Sequence, residues 1–336
     1  MRLRLYFMAV CASLLVGCSK PSEHLLPDTP VGNFEALWQI IDEKYCFFDE
    51  KGIDWQAIHD EYRAKADTIR NDERALFCLL SSMLDSLHDG HVNLYSDFDV
   101  SRSTSWYDTL PTNYNATLVA EYIGRYQIAG ALTYGLIADG QVGYIRYGSF
   151  ESGFSAKNMW YVLDYFANCK GVIVDVRSNG GGNLDYAYKL ASTFFETPTT
   201  VGYWRHKTGP GHNDFSEMQP IEIDAATMPH KWLKPVVVLT NCRAYSATNS
   251  FANAMRYAPN ATLVGATTGG GGGMPLSYEL PNGWIVRLSS VPMYDREKQS
   301  IENGVKPDVP VNLTTELAAQ GKDDLIEKAI ELLTKR

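Results

Sequence analysis

Gly171-Val172-Ile173-Val174-Asp175-Val176 runs straight into Arg177-Ser178-Asn179-Gly180-Gly181-Gly182. The first six residues are almost all apolar, without the polar alternation of a half-exposed strand, so they read as a strand covered on both faces. The glycines that follow end it in a turn. Working outward, Val142–Tyr147 reads as a strand and Ala156–Phe166 as a helix. Downstream come a helix at Leu184–Phe195, a second buried strand at Pro235–Thr240, a helix at Ser246–Tyr257 and a short strand at Thr262–Gly265. Strands alternating with helices imply right-handed βαβ crossovers and a largely parallel sheet, an α/β fold. Leu276–Leu280 and Trp284–Leu288 flank Pro281-Asn282-Gly283, whose Asn-Gly pair suits a hairpin. The polar stretch Arg205–His230, with Gly209-Pro210-Gly211, is expected to be a mobile surface loop.

The beginning of the chain has a different pattern. Phe34, Leu37, Trp38, Ile41 and Tyr45 fall at helical spacing with Asn33 as N-cap. Trp55, Ile58 and Tyr62 follow Asp54, and Leu76, Leu80, Met83, Leu84 and Leu87 follow Asp72. These stripes predict a helical N-terminal domain over residues 31–98. Before it, Arg2 and Arg4 precede an apolar run, Leu5–Val16, with the length of a secretory h-region and too short to cross a bilayer. Leu15-Val16-Gly17-Cys18 resembles a bacterial lipobox. Residues 1–17 are therefore expected to be a lipoprotein signal peptide, Cys18 the lipidated residue and residues 18–30 a tether, in an exported cell-envelope protein (periplasm or outer membrane) held to the membrane by its lipid alone.

The chain has 336 residues and a net charge of −9, which argues against nucleic acid as its main partner, because phosphate binding needs a basic face. Of its cysteines, Cys46, Cys78, Cys169 and Cys242 lie beyond the signal segment. Three disulfide pairings are open to them, the sequence selects none, and free thiols suit the spacing equally well.

Several residues could carry chemistry. Ser246 follows a buried strand and opens a helix, where the helix N-terminus favours negative charge; a nucleophile would benefit, and so would a simple N-cap. The Gly180-Gly181-Gly182 turn offers backbone N–H groups to an oxyanion. His88-Asp89-Gly90-His91 supplies imidazole, the usual partner of a serine hydroxyl near neutral pH. The same residues are metal-ligand types, but no His-Glu-x-x-His spacing or further ligand cluster accompanies them, and no metal or cofactor is expected. Glu302-Asn303-Gly304 places an acid before a turn.

In order along the chain stand Asp89-Gly90-His91-Val92, Val174-Asp175-Val176-Arg177-Ser178-Asn179-Gly180-Gly181-Gly182, Ser246-Ala247-Thr248-Asn249, Val264-Gly265-Ala266-Thr267-Thr268-Gly269-Gly270 and Glu302-Asn303-Gly304-Val305-Lys306-Pro307-Asp308. This series resembles the tail-specific, or C-terminal processing, serine peptidases, on the branch that includes the tricorn protease core. The resemblance implies a crotonase/Clp-protease-like βαβ core over residues 99–336 behind the N-terminal helical domain. It implies a serine endopeptidase acting on peptide or protein substrates, with Ser246 as nucleophile, His91 as general base and Glu302 as the relay acid. Ala247 N–H with Gly180 or Gly181 N–H would form the oxyanion hole. Members with a Ser–Lys dyad carry lysine in a Gly-Lys-Gly turn; here that stretch is Thr268-Gly269-Gly270-Gly271-Gly272-Gly273. Where the tricorn core has serine directly before its histidine, this chain has Gly90. Residues 99–129 are too few for the PDZ domain many relatives carry. The alternative on the same fold is a non-catalytic lipoprotein that binds a peptide or an apolar ligand.

Overall fold

The computed structural model describes residues 26–335 apart from 71 and 104. The signal-peptide reading of residues 1–17 and the lipidation of Cys18 fall outside the described residues. Four helices come first: α1 Pro30–Lys44, α2 Phe48–Lys51, α3 Trp55–Thr68 and α4 Glu73–Asp85. Asp54 and Asp72 cap α3 and α4 as expected, each accepting from the backbone three residues on. Asn33 does not cap α1. Thr29 does, with Pro30 at the first helical position, where its missing N–H is no loss. Asn33 is instead buried inside the first turn. It donates to Asp28 and accepts from the Asn282 N–H at 3.0 Å, which ties α1 to a distant hairpin.

The main sheet has seven strands in the order β12 (Val309–Pro310), β9 (Ala261–Gly265), β8 (Val236–Thr240), β5 (Gly171–Asp175), β4 (Val142–Arg146), β3 (Leu132–Ile137) and β2 (Gln127–Ala129). The pairs from β12 through β4 are parallel and the last two antiparallel. The apolar runs of β5 and β8 are continuous because both faces are covered. Val172, Val174, Val236 and Val238 join the core beneath helices Ala156–Tyr165, Leu184–Ser192 and Ala247–Met255. Ile173, Val237 and Leu239 face the opposite core, closed by helices Ala116–Ile123 and Asp324–Thr334.

A second sheet joins the two halves of the chain. Its order is β1 (Asn93–Tyr95), β11 (Ile285–Asp295), β6 (Thr199–Trp204) and β7 (Gln219–Ile223), with β10 (Gly273–Glu279) also on β11. The third core consists of the α1–α4 side chains together with Leu280, Trp284, Val286 and Leu288 from this hairpin. The turn is a three-residue connection: Gly283 N–H donates to Leu280 O, Leu280 N–H donates to Trp284 O, and Gly283 takes the left-handed φ of 82°. The stretch Arg205–His230 is only partly the expected loop, since it contains β7. Pro220 is tolerated there because β7 is an edge strand, and Ile223 is buried in the main core. Cys46, Cys78, Cys169 and Cys242 are free thiols.

Candidate active site

The turn after β8 carries Ser246 directly before helix Ala247–Met255. Its φ of 59° and ψ of −122° are unusual for a residue with a side chain. The surroundings hold it there. Tyr245 N–H donates to Asn179 O at 3.1 Å, Ser246 N–H donates to Gly270 O at 2.9 Å, and Ser250 N–H donates to Ser246 O. The Ser246 side chain makes no capping bond to the helix. It lies 2.9 Å from His91 Nε2, across 155 residues of sequence. The simple N-cap role is thus excluded for this serine.

His91 stands just before β1, whose pairing with β11 fixes it in place. The ring is 3 % exposed, and burial first, then Arg287, lower its pKa to about 4 against the pull of Asp89. Near neutral pH it is therefore an uncharged acceptor for the Ser246 O–H. Its Nδ1 is buried without a well-aligned hydrogen bond among the described residues, with the Gly273 backbone giving a weaker polar contact.

Glu302, expected as the relay acid, makes no hydrogen bond to His91 among the described residues. Its Oε1 pairs with Lys51 Nζ at 2.9 Å and its Oε2 accepts the Gly272 N–H at 2.8 Å. Burial and then the nearby Asp89 push its carboxyl up to about 8, with Lys51 pulling the other way. The carboxylate that touches the His91 residue is Asp89. It accepts the His91 backbone N–H at 2.8 Å, accepts from the Tyr45 hydroxyl at 3.1 Å and lies 3.7 Å from Lys51 Nζ. Burial opposes its charge, but Lys51 and His91 hold its pKa below the ordinary value. Lys51 and Tyr45 belong to this buried cluster, and the sequence singled out neither for it. A lysine ending one short helix and a tyrosine within an apolar stripe carry no periodic signal of such a role.

Gly180 and Gly181, the two alternatives expected to pair with Ala247 N–H, sit in different surroundings. Gly181 N–H is taken by Asn179 Oδ1 at 2.9 Å, which removes Gly181 as a donor. Its place is steric: at φ 101°, a Cβ there would lie 2.8 Å from Ser246 Cβ and 3.0 Å from Ala247 N. Gly180 N–H and Ala247 N–H make no hydrogen bond among the described residues. The turn itself is anchored by Arg177, fully buried between Asp175 and Asp323 at 2.7 and 2.8 Å. The glycine run over 269–273 is close packing rather than a catalytic turn: a Cβ on Gly271 would lie 2.5 Å from the Tyr245 ring. His88 is exposed while Asp89 points inward, and among the described residues no group of three or more His, Cys, Asp or Glu is placed to hold a metal.

Comparison with known proteins identifies the family. The model of peptidase family S41 matches residues 141–311, just over half of the chain, and that of the tricorn protease C1 domain matches residues 28–85. A protein of Parabacteroides merdae, whose crystal structure is described as that of a candidate peptidase, is 46% identical. The match covers 91% of this chain and 97% of that one, with a TM-score of 0.87. The carboxy-terminal processing protease CtpA of Bacillus subtilis is 28% identical over 194 residues, or 57% of this chain; the chain spans only 39% of that relative's length. The tricorn protease shares the fold, at 17% identity and a TM-score of 0.56, over 91% of this chain and 36% of that one. No helix among the described residues is long and apolar enough to cross a membrane. The chain belongs to peptidase family S41, and its class is that of a serine-type peptidase.

Proposed function

We propose that this chain hydrolyses peptide bonds through an acyl-enzyme on Ser246, with His91 as general base. The observation that carries the reading is the 2.9 Å contact between His91 Nε2 and Ser246 Oγ, made by a serine that leaves its own helix uncapped. The Ser246 O–H proton passes to Nε2 as Oγ bonds the carbonyl carbon. The developing oxyanion is received by Gly180 N–H and Ala247 N–H, at a helix N-terminus that favours negative charge. The imidazolium returns its proton to the leaving amine as the C–N bond breaks, and water then cleaves the ester by the same route. Asp89, not Glu302, is the negative charge that favours the imidazolium. Glu302 and Lys51 brace Asp89 and the Gly272 backbone. The apolar run Leu5–Val16 and Cys18 support an exported, lipid-anchored location.

The test is covalent labelling with a fluorophosphonate read by peptide mass spectrometry. Labelling at Ser246, lost in Ser246→Ala and sharply slowed in His91→Ala, is expected. An unlabelled folded wild-type protein would leave the non-catalytic binding protein as the reading.

A further inference from the structure

A cavity of about 460 Å³ opens beside the nucleophile, bounded on that side by Gly90, Gly180 and Tyr245, the chain neighbours of His91, Gly181 and Ser246. Its outer wall holds Arg102 and Arg243, with Tyr95 and Val100 as apolar sides, and no carboxylate lines it. That is a marked local excess of positive charge in a chain whose net charge is −9. Arg102 makes no ion pair among the described residues, and Arg243 reaches Asp108 only at 3.7 Å, with both side chains about half exposed. Ser103 lines the same cavity. It is 4 % exposed, and its Oγ has no hydrogen-bond partner among the described residues. A buried hydroxyl without a partner is costly unless something that enters the cavity satisfies it. Behind the wall, Arg287 donates to Asn93 Oδ1 at 3.4 Å and adds to the positive field.

We infer that this cavity is a substrate subsite for a carboxylate, with Arg102 and Arg243 as specificity-determining residues and Ser103 Oγ as an added donor. The guanidinium fork matches a carboxylate in two-point geometry, and the Gly180 edge places the carboxylate within a residue or two of the bond under attack. The carboxylate is that of an acidic side chain of the substrate. This inference rests on the peptidase reading of the same site.

The test is fluorescence anisotropy on the Ser246→Ala protein, where turnover cannot deplete the probe. Three labelled Ala/Leu octapeptides are compared: one with a central Glu and an amidated end, its Gln counterpart with an amidated end, and the Gln peptide with a free C-terminal carboxylate. Binding of the Glu-amide peptide at least about tenfold tighter than that of the Gln-amide is expected. The ratio should fall toward one in Arg102→Ala and in Arg243→Ala, each made in the Ser246→Ala background, with melting temperature as the check on folding. Arg102→Lys should keep part of it, because it retains the charge without the fork. Raised salt should shrink it. Equal binding of the Glu-amide and Gln-amide peptides, no binding of either, a preference confined to the free-carboxylate peptide, or a ratio that the arginine variants leave unchanged would overturn the inference. Failure of fluorophosphonate labelling in the wild type would overturn the catalytic reading, by a different assay on a different residue.

Discussion

Replacing Gly181 by alanine tests whether this turn sets the position of the nucleophile. The new Cβ would lie 2.8 Å from Ser246 Cβ, 2.8 Å from Tyr245 O and 3.0 Å from Ala247 N. Two of these are backbone atoms in a segment pinned on both sides by hydrogen bonds. Carbon atoms rest at about 3.5–4.0 Å, so Ser246 must retreat by roughly 0.7 Å or more. The residue must also hold φ 101°, a conformation costing an L side chain about 1–3 kcal/mol. A retreat of that size stretches the 2.9 Å contact with His91 beyond hydrogen-bond range, and a misplacement of about 1 Å is worth about 10²-fold in rate. The second-order rate of fluorophosphonate labelling at Ser246 should therefore fall about a hundredfold in Gly181→Ala. Gly180→Ala is the stability comparison: a Cβ there meets nothing within 4 Å, so its melting temperature should match the wild type while that of Gly181→Ala drops. A Gly181→Ala protein labelled within threefold of the wild-type rate would refute the steric argument.

The remaining predictions concern charge. With the His91 pKa at about 4 rather than 6.5, the acid limb of labelling rate against pH should fall between pH 4 and 5; a limb at 6.5 would contradict the buried neutral ring. Asp89→Asn removes the negative charge that raises the His91 pKa, so an NMR titration of the ring should shift further down and turnover should fall about 10- to 100-fold. Glu302 has a raised pKa, so its contribution to stability is complete below its unfolded value and lost as pH rises through about 8. His91 has a lowered pKa and acts in the opposite sense between about 4 and 6.5. The two nearly cancel up to pH 6.5, leaving a net loss of about 2 kcal/mol between pH 6.5 and 8; urea midpoints should show this loss in the wild type and not in Glu302→Gln. Arg177→Met strands two buried aspartates and should cost about 3–5 kcal/mol by the same urea measurement.

The parts of this fold that the sequence made legible are those with a repeating physical signal. β5 and β8 show unbroken apolar runs because both faces are buried, and α3 and α4 show stripes preceded by capping aspartates. Ser246 and His91 were legible as a pair through the ordered motifs of a family, not through anything in their own neighbourhoods. What stayed hidden depends on contacts between distant residues. Asn33 looks like a cap because its amide can serve as one, but that amide is engaged by Asn282, 249 residues away. Five-residue β7 contains a proline and only a brief alternation, so its strand character comes from pairing with β6. Glu302 and Asp89 are both acids beside motif residues. The hydrogen bonds that separate their roles involve Lys51 and Tyr45, whose participation no local pattern announces. Gly180 and Gly181 are equivalent in a string of letters; the Asn179 side chain and the packing against Ser246 distinguish them.

His91 and Ser246 belong to different cores, and the hairpin of β10 and β11 is the clasp between them. β1 brings His91 onto β11, and β11 in turn pairs with β6 beside the main core. Closing a segment of 155 residues is among the slowest events available to a folding chain. Until the clasp has shut, Ser246 and His91 are held apart. On the proposed mechanism this is an interlock: a molecule whose clasp is open cannot cut its neighbours or itself.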